Sequence, residues 1–387
     1  MIAVVTSRGV SGLPEIAGNT WTFLQYVVGL TRLGVETYWV DHQPKLDPRL
    51  PAQEGRARPH EDCHSVDYVR ARFHELAQTF GFEDRYSIVY DGEATFGLNA
   101  SALRDLAGEA DLLLNIAGPL PESSPLLGIE RRAYIDLDPG FTQIWALQLD
   151  LSLDKYHSFF TVGQNVGRPE FKIPTLEIAW EPIFPPVVLD LWPTRVDASC
   201  ERFTTIGDWH GSQYAQFEGE LYGGKREEFI RFLELPKRAQ RPIEVALCMF
   251  QHDYEDLGLL LQNEWIVRDP YLYAGNLESY REFIQFSRAE LSVAKGGYVK
   301  SASGWVSDRT ACYLASGKPA VIQSTGLEEH LPIGMGLLTF ETLEEACGAL
   351  DALDDAYLAH CQAARQIAET HFDSAIVLGS ILDRVGG

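Results

Sequence analysis

Residues 291–326 read LSVAKGGYVKSASGWVSDRTACYLASGKPAVIQSTG, and this stretch decides the fold. Leu291-Ser292-Val293 is a short apolar run with the length of a buried strand. Lys295-Gly296-Gly297 opens a loop, and Ser303 or Ser307 is placed to cap a helix running to about Ser316. Gly317 stops that helix, Pro319 bars its continuation, and Ala320-Val321-Ile322 supplies the next strand. Strand, glycine-bearing loop, short helix and strand therefore follow in order. Lys295, Lys300 and Arg309 flank the helix start, where backbone N–H groups and the helix dipole favour an anion.

The alternation continues outward in both directions. Ile2–Thr6 reads as a strand, Ser7–Gly18 as a loop, and Asn19-Thr20 as the cap of a helix whose apolar residues at 23, 24, 27, 28 and 30 keep a helical period. Val35–Val40 is the next strand, which makes a right-handed βαβ unit with parallel strands. Further strands are predicted at 87–90, 111–116, 133–137 and 159–162, with helices at 67–80 and 100–108. After the stiff connection marked by Pro182, Pro185, Pro186 and Pro193, a second set begins. It has strands at 203–207, 245–249, 265–267 and 337–340, and helices at 225–234, 254–261, 277–288, 342–353 and 355–371. The predicted architecture is α/β: doubly wound domains over 1–185 and 186–372 facing across a cleft, with residues 373–387 as a helix packing back on the first. Ligands bind such sheets beyond the carboxyl ends of the strands.

Composition narrows the function. A chain of 387 residues with 45% hydrophobic content can fill two cores. A net charge of −23 argues against broad nucleic-acid binding, which works by neutralising phosphates, and leaves room for a local basic pocket. The six cysteines form no CxxC pair, so free thiols in a reducing cytoplasm are expected. MIAVVTSRG lacks the features of a signal peptide, and no apolar run is long enough to span a membrane. The absence of G-x-G-x-x-G after a strand, of a Walker loop and of H-E-x-x-H removes the usual support for dehydrogenase, NTPase and metalloprotease readings.

Several segments resemble two-domain GT-B glycosyltransferases. GNTWTFLQYVVGLTRLGVETYWVD (18–41) is similar to their acceptor domain, and residues 280–346 are similar to their nucleotide-sugar domain. Arg309 to Pro319 fits the bacterial ending R-x-x-x-x-L-A-x-G-x-P, while DLDPGFTQIW (136–145), TVGQNVGRP (161–169) and YGGKREEF (222–229) resemble segments of the same group. The resemblance implies two facing Rossmann-like domains and sugar transfer from a nucleotide diphosphate sugar. It implies no cofactor and no essential metal. The diphosphate is expected at the N-terminus of the helix spanning about 307–316. The chain departs from the retaining pattern of two glutamates eight residues apart, where Asp308 and Ser316 stand, and it lacks a His-Cys-Gly signature.

Donor binding needs cations or N–H donors because charge grows on the leaving group. Lys295, Ser303, Gly304, Ser307 and Arg309 supply that set, although Ser307 and Asp308 could simply cap a helix and Arg309 pair with a carboxylate. Trp305 could cover the base or sugar, or pack. Gln323, Thr325 and Gly326 follow the next strand and could meet sugar hydroxyls or form a plain turn. Gly207, ahead of Asp208-Trp209, permits close approach to a phosphate, and Lys225 could reach the same place. Glu344 could meet a ribose or balance a helix dipole.

An inverting transfer needs a base on the first domain's rim. Asp138, Glu15 and His42 are the candidates, with Asp41 and Asp136 behind them. Asp136 and Asp138 flank Leu137 at a strand's end, and only one of the two is expected to face the cleft. Arg8 and Asn19 could contact acceptor or sugar. His60-Glu61-Asp62-Cys63-His64 resembles a metal cluster on paper, but neighbours on one loop rarely converge on an ion, and no metal site is assigned there. Trp21, Phe23, Tyr26, Phe96, Phe141 and Trp145 either form core or line an apolar acceptor pocket. A glycan, lipid-linked sugar or small metabolite is the expected acceptor. A sugar-nucleotide epimerase of the same fold and a non-catalytic nucleotide- or glycan-binding scaffold are the competing readings.

Overall fold

Strands covered by helices on both sides have no wet face to alternate with, and their sequences become continuous apolar runs. In the computed structural model, which describes residues 1–11, 15–43, 66–90, 92–116, 118–211 and 214–386, such runs form two parallel sheets. The first holds β1 (Ile2–Arg8), β2 (Glu36–Gln43), β3 (Tyr86–Tyr90), β4 (Glu93–Gly97), β5 (Leu112–Ile116), β6 (Arg131–Asp136), β7 (Ser158–Thr161) and β8 (Trp180–Pro182). Its order is β4-β3-β2-β1-β5-β6-β7-β8, and only the β3–β4 edge is antiparallel. Ala3 and Val5 pack with Leu24 and Val27 of helix Ala17–Arg32, whereas Val4 packs with Leu103 of helix Ala100–Glu109, so helices cover both faces.

The second sheet holds β9 (Phe203–Asp208) and, after a small antiparallel hairpin of β10 (Ala215–Phe217) and β11 (Glu220–Tyr222), strands β12 (Ile243–Cys248), β13 (Ile266–Arg268), β14 (Ala289–Ser292), β15 (Ala320–Gln323) and β16 (Leu337–Phe340). All its pairings are parallel, in the order β13-β12-β9-β14-β15-β16. The winding reverses between β9 and β14, the place where open α/β sheets leave a crevice.

Two details depart from expectation. Helix Ala17–Arg32 starts two residues before Asn19, with Ile16 as its cap and no side-chain cap bond, so Asn19 lies in the first turn. Residues 296–301, expected as loop, form a short helix capped at Lys295, because the Gly296 and Gly297 N–H groups donate to the Gly224 and Gly223 carbonyls at 2.8 and 3.0 Å. The helix Asp308–Ala315 is capped as predicted: Ser307 Oγ accepts from the Arg309 N–H at 3.2 Å, and Gly317, at φ +68°, leaves the helix.

The two sheets touch along a broad seam. Asn165 Nδ2 donates to the Ala302 and Gly326 carbonyls at 2.8 and 2.7 Å, and Gly163 bridges Trp305. Gly297 lies flush on Phe141, where an added Cβ would come 2.2 Å from the ring. Helix Ser374–Gly386 lies on helix Ala17–Arg32, with Leu378 pressed onto Gly29, and Val187 bridges Asp373.

Candidate functional site

Strand-end residues from both sheets meet at the seam. Asp138, just past β6, accepts from Lys295 Nζ at 3.0 Å and from the Tyr298 hydroxyl, and Lys295 also reaches the Tyr298 oxygen at 3.1 Å. Burial, and then the Asp138 charge, hold the Tyr298 phenol far above its ordinary pKa, so it remains a donor. Asp138 and Lys295 keep 21% and 15% of their side-chain surface, enough to meet a ligand. Asp136 points the other way. It is buried and accepts from Thr142 Oγ1, Gln143 Nε2, Thr161 Oγ1 and the Asp138 N–H, and burial raises its pKa.

Lys225 enters from the opposite wall. Its Nζ lies 3.1 Å from where a Cβ on Gly207 would stand, so glycine at the end of β9 leaves room for the ammonium. Burial, then the charges of Arg309 and Lys295, push Lys225 down to about 7. Lys295 lies against Gly211, with Cε 3.5 Å from a Cβ placed there. Three cations thus gather at the β9–β14 reversal of a strongly acidic chain. An anion is the natural guest of such a cluster.

Arg309 belongs to this cluster electrostatically but is turned inward. Its guanidinium donates to Glu290 Oε1, the Ile206 carbonyl and Ser292 Oγ, each at 2.7 Å, and ties β9 to β14 beneath the site. Its charge is matched by buried Glu290, and it lies beneath the site rather than on its surface.

The remaining donor candidates are largely bonded within the fold. Ser303 Oγ donates to the Tyr298 carbonyl at 3.4 Å, the Gly304 N–H to the Thr325 carbonyl at 2.7 Å, and Thr325 Oγ1 to the Trp305 carbonyl at 2.6 Å. Trp305 stacks on Tyr298 with centroids 4.3 Å apart. Gln323 accepts from the Ala294 N–H at 3.1 Å and donates to Glu228 at 2.6 Å, while Gly326 sits under Asn165. Glu344 pairs with Arg238 on the surface at 3.0 Å. These residues shape the wall of the crevice.

On the first sheet, Asp41 is buried and accepts from the Ser7 hydroxyl at 2.5 Å and from the Ser11 N–H and hydroxyl at 2.9 and 2.5 Å, so it anchors the loop after β1. His42 is buried, and burial lowers its pKa to about 4; its Nε2 has no hydrogen-bond partner among the described residues. It lines a cavity of about 160 Å³ with Val40, Val89, Leu103 and Ser124. Glu15 Oε1 is also buried without a partner among the described residues. Arg8 is exposed and lies beside Gly118. Trp21, Phe23, Tyr26 and Phe141 are core. His60 to His64 lie outside the described residues.

Tyr298, Glu228 and Glu290 escaped the sequence reading. Glu290 carried a signal: a carboxylate inside the apolar strand AELS needs a buried cation.

No protein-family model matches the chain, and no curated protein matches it in sequence. Solved structures match it over its whole length. An alpha-glucosyltransferase in complex with UDP aligns at a TM-score of 0.62 and 14% identity, covering 100% of this chain and 99% of that one. AviGT4, a glycosyltransferase involved in avilamycin A biosynthesis, aligns at 0.58 and 12%, with 100% and 97% covered. Anabaena HepE in complex with UDP and glucose aligns at 0.58 and 10%, with 100% and 99% covered. Two doubly wound parallel sheets meeting at their strand ends, and this full-length likeness, place the chain in the GT-B fold.

Proposed function

We propose that the protein is a nucleotide-sugar-dependent glycosyltransferase of the hexosyl type. The observation that carries this reading is the gathering of Lys225 and Lys295 at the β9–β14 reversal, directly opposite Asp138. A nucleoside diphosphate sugar supplies the complementary charge. Lys225 and Lys295 hold the diphosphate and take up the charge that grows on it as the glycosidic bond breaks. Arg309 keeps the strand ends, and so the two lysines, at a fixed separation. Asp138 faces the crevice from the first sheet and accepts the proton of the incoming hydroxyl, with Tyr298 and Lys295 orienting its carboxylate. Neutral His42 and buried Asp41 and Asp136 shape the first sheet and are not the base.

The acceptor is a glycan, lipid-linked sugar or small metabolite. A structurally similar alpha-glucosyltransferase was solved with UDP-glucose and DNA containing an abasic site, so DNA belongs in the acceptor screen, against the expectation set by a net charge of −23.

The test is incubation with UDP-, GDP-, dTDP-, CDP- and ADP-sugars, following nucleotide release with and without an acceptor library. Release of one nucleotide, lost in Asp138→Asn while that nucleotide still binds, is the expected result. Interconversion of sugar nucleotides without release would replace transfer by epimerisation, and binding without turnover would leave a scaffold.

A further inference from the structure

Beyond the sugar-transfer site, two neighbouring strand-end loops of the second sheet bring together three side chains that the proposed reaction does not use. His210 lies on the loop after β9, and His252 and Asp253 lie on the loop after β12. His210 Nε2 is 2.8 Å from Asp253 Oδ1, and His252 Nε2 is 3.8 Å from the same oxygen. One atom from each residue falls within 4.8 Å of the other two. We propose that these residues form a binding site for a divalent transition-metal ion of the zinc type.

The geometry suits such an ion. Tetrahedral zinc with nitrogen and oxygen ligands at 2.0–2.2 Å separates its ligand atoms by roughly 3.3 Å. The two nitrogen–oxygen separations straddle that value, and all three atoms lie within 4.8 Å of one another, so modest side-chain shifts bring them onto one ion. Both imidazoles present the same ring nitrogen to one carboxylate oxygen, and at 3.8 Å the second is too far for a hydrogen bond. His210 hydrogen-bonds that oxygen, and a cation would join His252 to the pair. Two imidazoles and a carboxylate favour zinc, cobalt or nickel over magnesium or calcium, which prefer all-oxygen shells.

The surroundings hold the ligands in place. Asp253 is buried, and its Oδ2 accepts from the Phe250 N–H at 2.7 Å, which aims Oδ1 at the histidines. His252 lies flat on Phe250, with an interplanar angle of 7°, and its side chain is 70% exposed. The third ligand is thus supported on one side and open to solvent on the other, which leaves coordination positions for water. The ion clips the loop after β9 to the loop after β12. The first loop also carries Gly211, which lies on Lys295, and the His210 carbonyl, which accepts from the Lys225 N–H at 2.9 Å. Its role is to fix the wall behind the two lysines, apart from the reacting phosphates.

The test is calorimetric titration of the full chain with Zn²⁺, and with Co²⁺ followed by its visible d–d absorption. The expected result is one saturable ion per chain, a cobalt spectrum of tetrahedral intensity, and an affinity at least about tenfold weaker in His252→Ala and in His210→Ala. His252 is exposed, so its variant reads the ion without challenging the fold. Absence of saturable binding to the parent chain would overturn the proposal. So would unchanged affinity in both histidine variants, which would send the ion to other residues.

Discussion

The carboxyl ends of the two sheets offer a comparison between like architectures with opposite charge. At the first sheet, Asp41 and Asp136 are buried carboxylates saturated by hydroxyl and amide donors, whereas Asp138 reaches outward. At the second, Lys225, Lys295 and Arg309 gather; Arg309 is matched by buried Glu290 of its own sheet, and Lys295 pairs with Asp138 across the seam. The difference teaches where to look for function. Groups whose hydrogen bonds are completed by their own sheet hold the fold, whereas groups that reach towards the other sheet are available to a ligand. The polarity across the seam, one acid against two amines, is what a reaction with an anionic leaving group and a proton to remove requires.

The largest expected effect is the loss of the outward acid, Asp138. Asp138→Asn should lower the transfer rate by about 10²–10⁴-fold while nucleotide affinity holds. Comparing kcat with the calorimetric Kd checks this, and a parallel collapse of both would make Asp138 a donor ligand. The anomeric configuration of the parent's product sharpens the point, since inversion is the outcome a base at Asp138 produces.

Arg309→Met tests the inward cation. It leaves Glu290 buried and uncompensated, and should cost about 3–5 kcal/mol of stability, seen in chemical denaturation. A folded variant with parental stability and lost nucleotide binding would return Arg309 to the site.

Lys225→Met should weaken binding of the selected nucleoside diphosphate by roughly 10–100-fold, the range for a charged hydrogen bond. It also carries a pH signature. Burial and two neighbouring cations hold the Lys225 ammonium near 7 in the folded chain, against an ordinary 10.5. Binding an anion favours the charged form, so affinity should fall as pH rises above 7, and the methionine variant should lose that slope. For the unliganded protein the sign is opposite. Between 7 and 10.5 the unfolded chain holds a proton that the folded chain has released, so stability should rise with pH across this window. Calorimetry at several pH values and denaturation midpoints check the two slopes.

The smallest effect concerns the seam. In Gly297→Ala the new methyl meets Phe141 and should cost about 1–3 kcal/mol through displacement of the sheets, with a raised KM. Unchanged thermal and kinetic behaviour would show that the seam opens in solution.

Much of this was legible in the chain. The unit from Leu291 to Gln323 was readable because capping and stop residues stand at each of its boundaries. The split between Asp136 and Asp138 was not given by the strand period, which puts residues two apart on one face; it arises because β6 ends at Asp136 and Asp138 stands on the turn beyond it. The direction of Arg309 was not readable from its own position, since a first-turn arginine can point to solvent or beneath the sheet. That choice was made by Glu290, nineteen residues earlier and adjacent only after β14 has formed. Gly296 and Gly297 were expected to open a loop, yet their N–H groups are taken by Gly224 and Gly223 and a short helix forms, a pairing between distant loops that no local pattern encodes. Tyr298 was missed for the same reason, because its partner Asp138 belongs to the other sheet.

The seating of helix Ser374–Gly386 against Gly29 has a consequence for how the molecule is made. On the ribosome the first sheet emerges early, but the face of its opening helix that Leu378 and Ser374 cover stays bare until more than three hundred further residues have been joined. During synthesis that groove is an uncovered apolar surface, the kind on which partly folded intermediates associate. Completion of the earlier segment therefore waits for the later one, and fidelity of assembly rests on the second sheet folding without delay.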